Sequence, residues 1–198
     1  MLKLGFRLKV IGGECLPSHG AAIVVGNHAS FLDPFIISSR CGRPVRWLVS
    51  QEFYSKRGLR WPLKWFGTIP VGGGRSMVGS YRRIADVLQR GGLVGIFPEG
   101  GITRDGEIKP FRDGAAVIAY RHGVPIVPLH IDGTFEALSR YAKWPRFVPL
   151  TIRMGAPIVV PRTEAPTAAE VAALTAAMRT AVVELATRAR DARPRPPG

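Results

Sequence analysis

The chain has few of the features that stabilise secreted or membrane-spanning proteins. Its two cysteines, Cys15 and Cys41, are too few for a disulfide framework and lack metal-ligand spacing, so we expect two reduced thiols. No apolar run approaches the roughly 18 residues that a membrane-spanning helix needs. The opening residues, MLKLGFRLKV, alternate polar and apolar side chains too strictly for the apolar core of a signal peptide, which argues against secretion.

Acidic residues are also scarce. The 198 residues include 14 Asp and Glu against 28 Lys and Arg, a net charge of +14 that favours anionic partners such as nucleic acid, phospholipid or phosphorylated metabolites. A hydrophobic content of 46% is ordinary for a globular protein and excludes a disordered chain. This length predicts one domain, which we place at residues 1–190, followed by a disordered tail at 191–198.

Short apolar segments alternate with amphipathic ones, which predicts an α/β fold. The wholly apolar run 21–26 is typical of a strand covered on both faces. Thr167 and Glu170 form a capping box that begins a long helix. We predict strands at 2–10, 21–26, 45–49, 67–71, 93–97, 124–131 and 150–154, and helices from about 35 to Gly42 and at 76–90, 115–121 and 167–190. The expected architecture is a central, mainly parallel mixed sheet flanked by helices, with the active site at the carboxyl ends of the strands.

Two polar loops, 27–34 and 98–106, each follow an apolar strand directly. In a parallel sheet both would open at the same edge, which would bring His28 and Asp33 towards Glu99 and Arg104 across one crevice. Histidine is the usual general base near neutral pH, and a carboxylate on its other ring nitrogen fixes the tautomer. A five-residue offset does not place two side chains on one helix face, so the pairing requires His28 in a loop and a reversal of the chain at Asp33. A surface histidine beside a helix-capping aspartate would explain the same residues.

The order of several short motifs adds a family resemblance. Asn27-His28-x-x-x-x-Asp33 resembles the signature of the glycerolipid acyltransferases, the family of 1-acyl-glycerol-3-phosphate acyltransferase. Further blocks of that family are similar to Gly67–Val71, Phe97–Gly100 and Val124–Pro128, and a short intervening segment is similar to Phe111–Ala115. The resemblance extends over roughly residues 8–185, nearly the whole chain.

The resemblance implies transfer of a fatty acyl group from an acyl thioester, either acyl-CoA or acyl carrier protein, to the hydroxyl of a lysolipid. The acceptor it implies is 1-acyl-glycerol-3-phosphate, and the product is phosphatidic acid. His28 would be the general base and Asp33 would orient it. The thioester would be a co-substrate, and no metal or other cofactor is implied.

The resemblance also implies that Asn27, Arg75, Glu99, Gly100 and Arg104 bind substrate. Two departures from the family pattern affect this group. The family usually has Arg two residues after the position of Val71, where this chain has Gly73, and Arg75 follows two residues later. In the third block, Gly101 and Ile102 are inserted before the Thr-Arg pair. A different lysolipid, or the hydroxyl of a specialised metabolite, therefore stays open as the acceptor.

Residues 40–66 interleave aromatic and basic side chains, a mixture suited to an anionic membrane surface. We predict that Trp61, Lys64 and Trp65 contact the membrane, on short helical turns or a loop because Gly58 and Pro62 interrupt a long helix. The alternative places these aromatics in the core. The expected location is cytoplasmic, peripheral on the inner face of the cell membrane. The same mixture and the +14 charge suit a nucleic-acid-binding protein, but that reading leaves the ordered blocks unexplained, so we expect no nucleic-acid partner.

Overall fold

The computed structural model describes residues 7–72, 75–142 and 144–191, which are organised around a seven-stranded sheet. The strands are β1 (Leu8–Ile11), β2 (Ala22–Gly26), β3 (Val45–Ser50), β4 (Ile69–Val71), β5 (Leu93–Ile96), β6 (Ile126–Asp132) and β7 (Leu150–Met154). Their order is β1-β7-β6-β2-β5-β3-β4. Strands β2 to β6 all run parallel, whereas β7 is antiparallel to β6 and β1 follows the direction of β7. The predicted mainly parallel mixed sheet is confirmed.

Helices cover both faces of this sheet. They are α1 (Asp33–Ser38), α2 (Gln51–Tyr54), α3 (Arg60–Trp65), α4 (Arg75–Gln89), α5 (Gly114–His122), α6 (Thr134–Leu138) and α7 (Ala168–Asp191). One face packs against α4, α5 and α7 through side chains such as Ile84, Ile118 and Met178. The other packs against α1 and α6 through Ile37 and Ala137. Every residue of β2 is buried because this central strand has a helical layer on each side.

The local predictions hold best where the sequence signal is strongest. The capping box forms as expected: Thr167 N donates to Glu170 Oε2 at 2.7 Å, and Glu170 N donates to Thr167 Oγ1 at 3.2 Å. Gly58 and Pro62 lie in a region of two short helices, α2 and α3, as the interrupted pattern predicted. Helix α6 was not predicted. The N-terminal part of the predicted first strand (2–6), and residues 192–198 of the predicted tail, lie outside the described residues.

The parallel strands share one edge at their carboxyl ends, which we call the carboxyl edge. The connections that leave it include residues 27–32 after β2, 51–68 after β3, 97–113 after β5 and 133–149 after β6. Strand β7 starts at this edge because it runs antiparallel to β6. In the described part of the chain, no helix combines the length and apolarity needed to cross a membrane.

Candidate active site

His28 and Asp33 meet at the carboxyl edge, just beyond β2. His28 Nδ1 lies 2.9 Å from Asp33 Oδ2. His28 is in the loop and Asp33 is the first residue of α1, so the chain reverses between them as the five-residue spacing required. The Asp33 side chain is completely buried, whereas 16% of the His28 side chain is exposed. The pair therefore has a buried carboxylate and an imidazole that is partly open to solvent.

The hydrogen bonds of Asp33 determine the tautomer of His28. Asp33 Oδ2 also accepts from the backbone N–H groups of Ala29, at 2.7 Å, and Ser30, at 2.8 Å. Because the carboxylate oxygen accepts, His28 Nδ1 is the donor in this pair. A neutral imidazole with its proton on Nδ1 has a free lone pair on Nε2. That nitrogen can take a proton from a bound hydroxyl.

The His28 imidazole lies at the end of a stack that contains two aromatic rings. The His28 and Phe97 rings are stacked, with centroids 4.0 Å apart and planes 6° from parallel. Phe97 in turn stacks on Trp47, with centroids 4.5 Å apart. Trp47 is itself fixed, because it is 1% exposed and its Nε1 donates to Ser38 Oγ at 2.9 Å. The stack restrains the plane of the imidazole, while Asp33 restrains its rotation within that plane. Sequence reasoning gave Phe97 only as part of a motif and missed this role.

Glu99 joins the two loops that form the site. Its Oε1 accepts from His28 N at 3.0 Å, and its Oε2 accepts from Lys109 N at 3.2 Å. Burial raises the pKa of Glu99, and the two backbone N–H donors oppose that effect only in part. Thr103 N also donates to His28 O at 2.8 Å. The loops after β2 and β5 are therefore held together around His28.

The remaining predicted substrate-binding residues have different surroundings. Asn27 is buried, and its amide makes two hydrogen bonds with the Ile131 backbone, at 3.0 Å and 2.9 Å, which tie the end of β2 to β6. Gly100 has a φ of +76°, and a Cβ there would lie 2.7 Å from the Arg112 guanidinium. Arg104 is exposed. Arg75 begins α4, and its side chain lies outside the described part of the structure. The structure thus brings Asn27 and Glu99 to the histidine, while a phosphate site at Arg75 and Arg104 stays a prediction.

The tryptophans of the basic region divide between core and surface. Trp61 is 76% exposed and Trp65 is 80% exposed, and Lys64 beside them is exposed as well. The alternative that the aromatics of this region belong to the core holds for Trp47 and is wrong for Trp61 and Trp65. Helix α3 therefore presents aromatic and basic side chains to its surroundings.

Comparison with known proteins identifies the family. Residues 7–132 match the family model described as Acyltransferase, a range that includes His28, Asp33, Phe97 and Glu99. The chain belongs to the acyltransferase family. The resemblance noted in the sequence is confirmed at this level.

Two relatives of this acyltransferase chain are described as the same enzyme. It is 33% identical over 132 residues to a chloroplastic 1-acyl-sn-glycerol-3-phosphate acyltransferase of Brassica napus, covering 65% of this chain and 38% of that protein. It is 28% identical over 132 residues to the 1-acyl-sn-glycerol-3-phosphate acyltransferase of Borreliella burgdorferi, covering 66% of this chain and 53% of that protein. The matched region thus spans between two fifths and about half of the length of these relatives.

A solved structure supports the fold. The 1-acyl-sn-glycerophosphate acyltransferase PlsC from Thermotoga maritima superimposes with a TM-score of 0.74, covering 96% of this chain and 75% of that one. The sequence identity is 20%, so this likeness concerns the fold. The α/β architecture with its mostly parallel sheet is therefore shared with an acyltransferase structure.

Proposed function

We propose that this acyltransferase chain moves a fatty acyl group from an acyl thioester to the hydroxyl of a lysolipid, with 1-acyl-glycerol-3-phosphate as acceptor and phosphatidic acid as product. The observation that carries the proposal is the His28–Asp33 pair. His28 Nδ1 and two backbone N–H groups donate to Asp33 Oδ2, so the imidazole proton lies on Nδ1 and Nε2 can accept a proton. The acceptor is inferred from the relatives, which are 1-acyl-sn-glycerol-3-phosphate acyltransferases. The donor is acyl-CoA or acyl carrier protein.

In the proposed reaction, His28 Nε2 removes the proton of the acceptor hydroxyl as its oxygen attacks the thioester carbonyl. The new C–O ester bond forms and the C–S bond breaks. The thiolate leaves and takes up the proton that His28 received, which restores the neutral imidazole. Asp33 stabilises the transient imidazolium through its 2.9 Å hydrogen bond, and no covalent acyl-enzyme is needed.

The substrate contacts belong to the same proposal. Arg75 and Arg104 would bind the acceptor phosphate, since the planar guanidinium fork suits that group. Gly100 would present its backbone to substrate in the loop after β5, while Asn27 and Glu99 would hold the loops that form the site.

We also propose that the enzyme works at an anionic membrane, the inner face of the cell membrane, with Trp61, Lys64 and Trp65 as contacts. The exposure of Trp61 and Trp65 on α3 supports this contact. An anionic cytoplasmic leaflet attracts basic segments such as the one that carries Lys64.

The test is the turnover of purified His28→Ala with 1-acyl-glycerol-3-phosphate and each thioester donor, with products identified by mass spectrometry. We expect a loss of about 10²–10⁴-fold, the usual contribution of a positioned general base. His122→Ala is the matched control, because His122 lies at the end of α5, away from the carboxyl edge, and should keep wild-type turnover. Wild-type turnover in folded His28→Ala would overturn the mechanism. Transfer to acceptors that lack phosphate, with none to the phosphate-bearing acceptor, would overturn the acceptor assignment.

A further inference from the structure

A second exposed aromatic group lies in the connection between α6 and β7. Tyr141 is 67% exposed, Trp144 is 81% exposed and Phe147 is 71% exposed. We call residues 140–142 and 144–147 the 140–147 segment. Large aromatic side chains that are exposed close together in sequence indicate a surface that binds a partner. The proposed reaction does not use them.

The 140–147 segment lies beside the candidate active site. Its connection starts and ends at the carboxyl edge, and Arg146 N donates to Ala137 O at 2.7 Å, which folds the segment back onto α6. Ser30, in the loop that carries His28, donates through Oγ to Leu138 O at 2.6 Å. The segment is therefore anchored next to the histidine loop.

Helix α2 contacts the same loop from the other direction, and Phe66, directly after α3, packs against Phe35 of α1 with ring centroids 4.6 Å apart. Phe31 of the histidine loop stacks with Phe53 of α2, with ring centroids 5.7 Å apart. In the sheet, β6 precedes the 140–147 segment and β3 precedes α2, and β2 and β5 lie between them. The active-site loop thus lies between two exposed aromatic groups, α3 and the 140–147 segment.

The residues on both sides of the histidine loop carry a net positive charge. The connection 139–149 contains Arg140, Lys143 and Arg146 and no acidic residue, and the Arg140 guanidinium lies 5.7 Å from the centre of the Tyr141 ring. Residues 51–66 contain Lys56, Arg57, Arg60 and Lys64 against Glu52. Tryptophan and tyrosine prefer the headgroup level of a bilayer, and basic side chains are attracted to anionic headgroups.

We propose that the 140–147 segment is a second membrane contact, so that an anionic phospholipid bilayer covers both sides of the active-site mouth. The choice of a bilayer as the partner rests on the proposed function, because a lipid acceptor reaches the carboxyl edge from a leaflet. An acidic protein would satisfy the charge, but a bilayer also accounts for the exposed aromatics on both sides of the loop that binds the acceptor.

The first experiment is sedimentation with vesicles of phosphatidylcholine and phosphatidylglycerol, without substrate. Trp144→Ser/Phe147→Ser should weaken binding about tenfold or more, because interfacial binding scales with the apolar area inserted. Arg140→Gln and Arg146→Gln should each weaken it about fivefold. The controls are Val159→Ser and Arg162→Gln, which change exposed residues near the opposite edge, where Ile158 pairs with the first residue of β6. Both controls should sediment like the wild type.

The second experiment uses fluorescence and keeps the surface aromatic. In Trp61→Phe/Trp65→Phe the remaining tryptophans are Trp47, which is 1% exposed, and Trp144. Vesicles with brominated acyl chains should quench the emission of this variant, and adding Trp144→Phe should remove the quenched component. The absence of quenching, or wild-type sedimentation of Trp144→Ser/Phe147→Ser, would overturn the proposal.

Two further outcomes separate this proposal from the proposed function. Binding of an acyl carrier protein to the 140–147 segment without vesicle binding would overturn the membrane assignment and leave acyl transfer standing. Vesicle binding that depends on Trp144 in a chain without acyl transfer would support the membrane contact while contradicting the proposed function.

Discussion

At the scale of single residues, Glu99 shows how burial between two loops raises the pKa of a carboxyl group. Its carboxylate lies between two backbone N–H donors, from His28 and Lys109, and holds together the loops after β2 and β5. Only 8% of the residue is exposed, and burial disfavours its charged form and raises its pKa. The residue that stabilises the position of the His28 backbone therefore links the stability of the fold to pH.

Glu99→Gln should alter the pH dependence of stability. Because the pKa of Glu99 is higher in the folded chain than in the unfolded chain, the folded state holds this proton after the unfolded state has lost it. The contribution of Glu99 to the unfolding free energy is therefore largest below its ordinary pKa and falls as pH rises to the raised value. Glutamine does not titrate. The unfolding free energy of the wild type minus that of Glu99→Gln should therefore fall as pH rises from the ordinary pKa of glutamate to the raised pKa.

Urea unfolding at a series of weakly acidic pH values measures this difference. Glu184→Gln, at an exposed position of α7, is the control and should follow the wild-type profile. A difference that grows with pH would show that the sign of the argument is wrong.

At the scale of elements, the pairing of β3 with β5 builds the platform under His28. Trp47 of β3 is the register partner of Gly95 of β5, and a Cβ at residue 95 would collide with the indole. Residues 95 and 97 share one face because side chains alternate along an extended chain. The indole can therefore lie across Gly95 and reach the Phe97 ring, on which His28 stacks.

Gly95→Ala should displace this platform. Overpacking a buried site destabilises a protein by about 1–3 kcal/mol, and here the displaced indole should also disturb the Phe97–His28 stack. We expect a lower melting temperature and lower turnover than in the wild type, with turnover measured at a temperature where the variant is folded.

Gly79→Ala is the control for this substitution, because a Cβ at Gly79 of α4 would meet no neighbouring atom. In a helix the change from glycine to alanine should stabilise by about 0.5–1 kcal/mol. Wild-type stability and turnover in Gly95→Ala would show that the platform does not position His28.

At the scale of the whole molecule, a net charge of +14 is combined with one edge that carries both His28 and the exposed aromatic side chains. The parallel direction of β2 to β6 is responsible, because it gathers the connections after β2, β3, β5 and β6 at the same edge. The His28–Asp33 pair and the exposed aromatic side chains of these connections therefore lie at one edge of the sheet.

Salt should therefore affect the proposed reaction according to how the acceptor is presented. With the acceptor in anionic vesicles, turnover should fall as sodium chloride rises from about 0.1 M to about 1 M, since the screening length shortens from about 10 Å to about 3 Å. With a monomeric short-chain acceptor in solution, turnover should change much less. Equal losses with both acceptors would mean that salt acts on the site itself and that charge does not recruit the enzyme to the membrane.

The sequence by itself determined the features that depend on neighbours along the chain. The apolar run of β2 and the capping box of α7 are local patterns, and both predicted their elements closely. The reversal between His28 and Asp33 could be predicted as the condition for their contact, because a five-residue offset does not place two side chains on one helix face. The family resemblance also depended on motifs read in order along the chain.

Tertiary structure decided what depends on residues far apart in sequence. The stack joins Trp47 of β3 to Phe97 and His28 in the loops after β5 and β2, so no local period reveals it. The reversed direction of β7, the formation of α6 and the burial of Trp47 beside the exposure of Trp61 were likewise settled by packing. Local sequence specifies which backbone conformations are favourable. Which apolar side chains lose contact with water depends on which surfaces meet, and only the assembled sheet and its helical layers determine that.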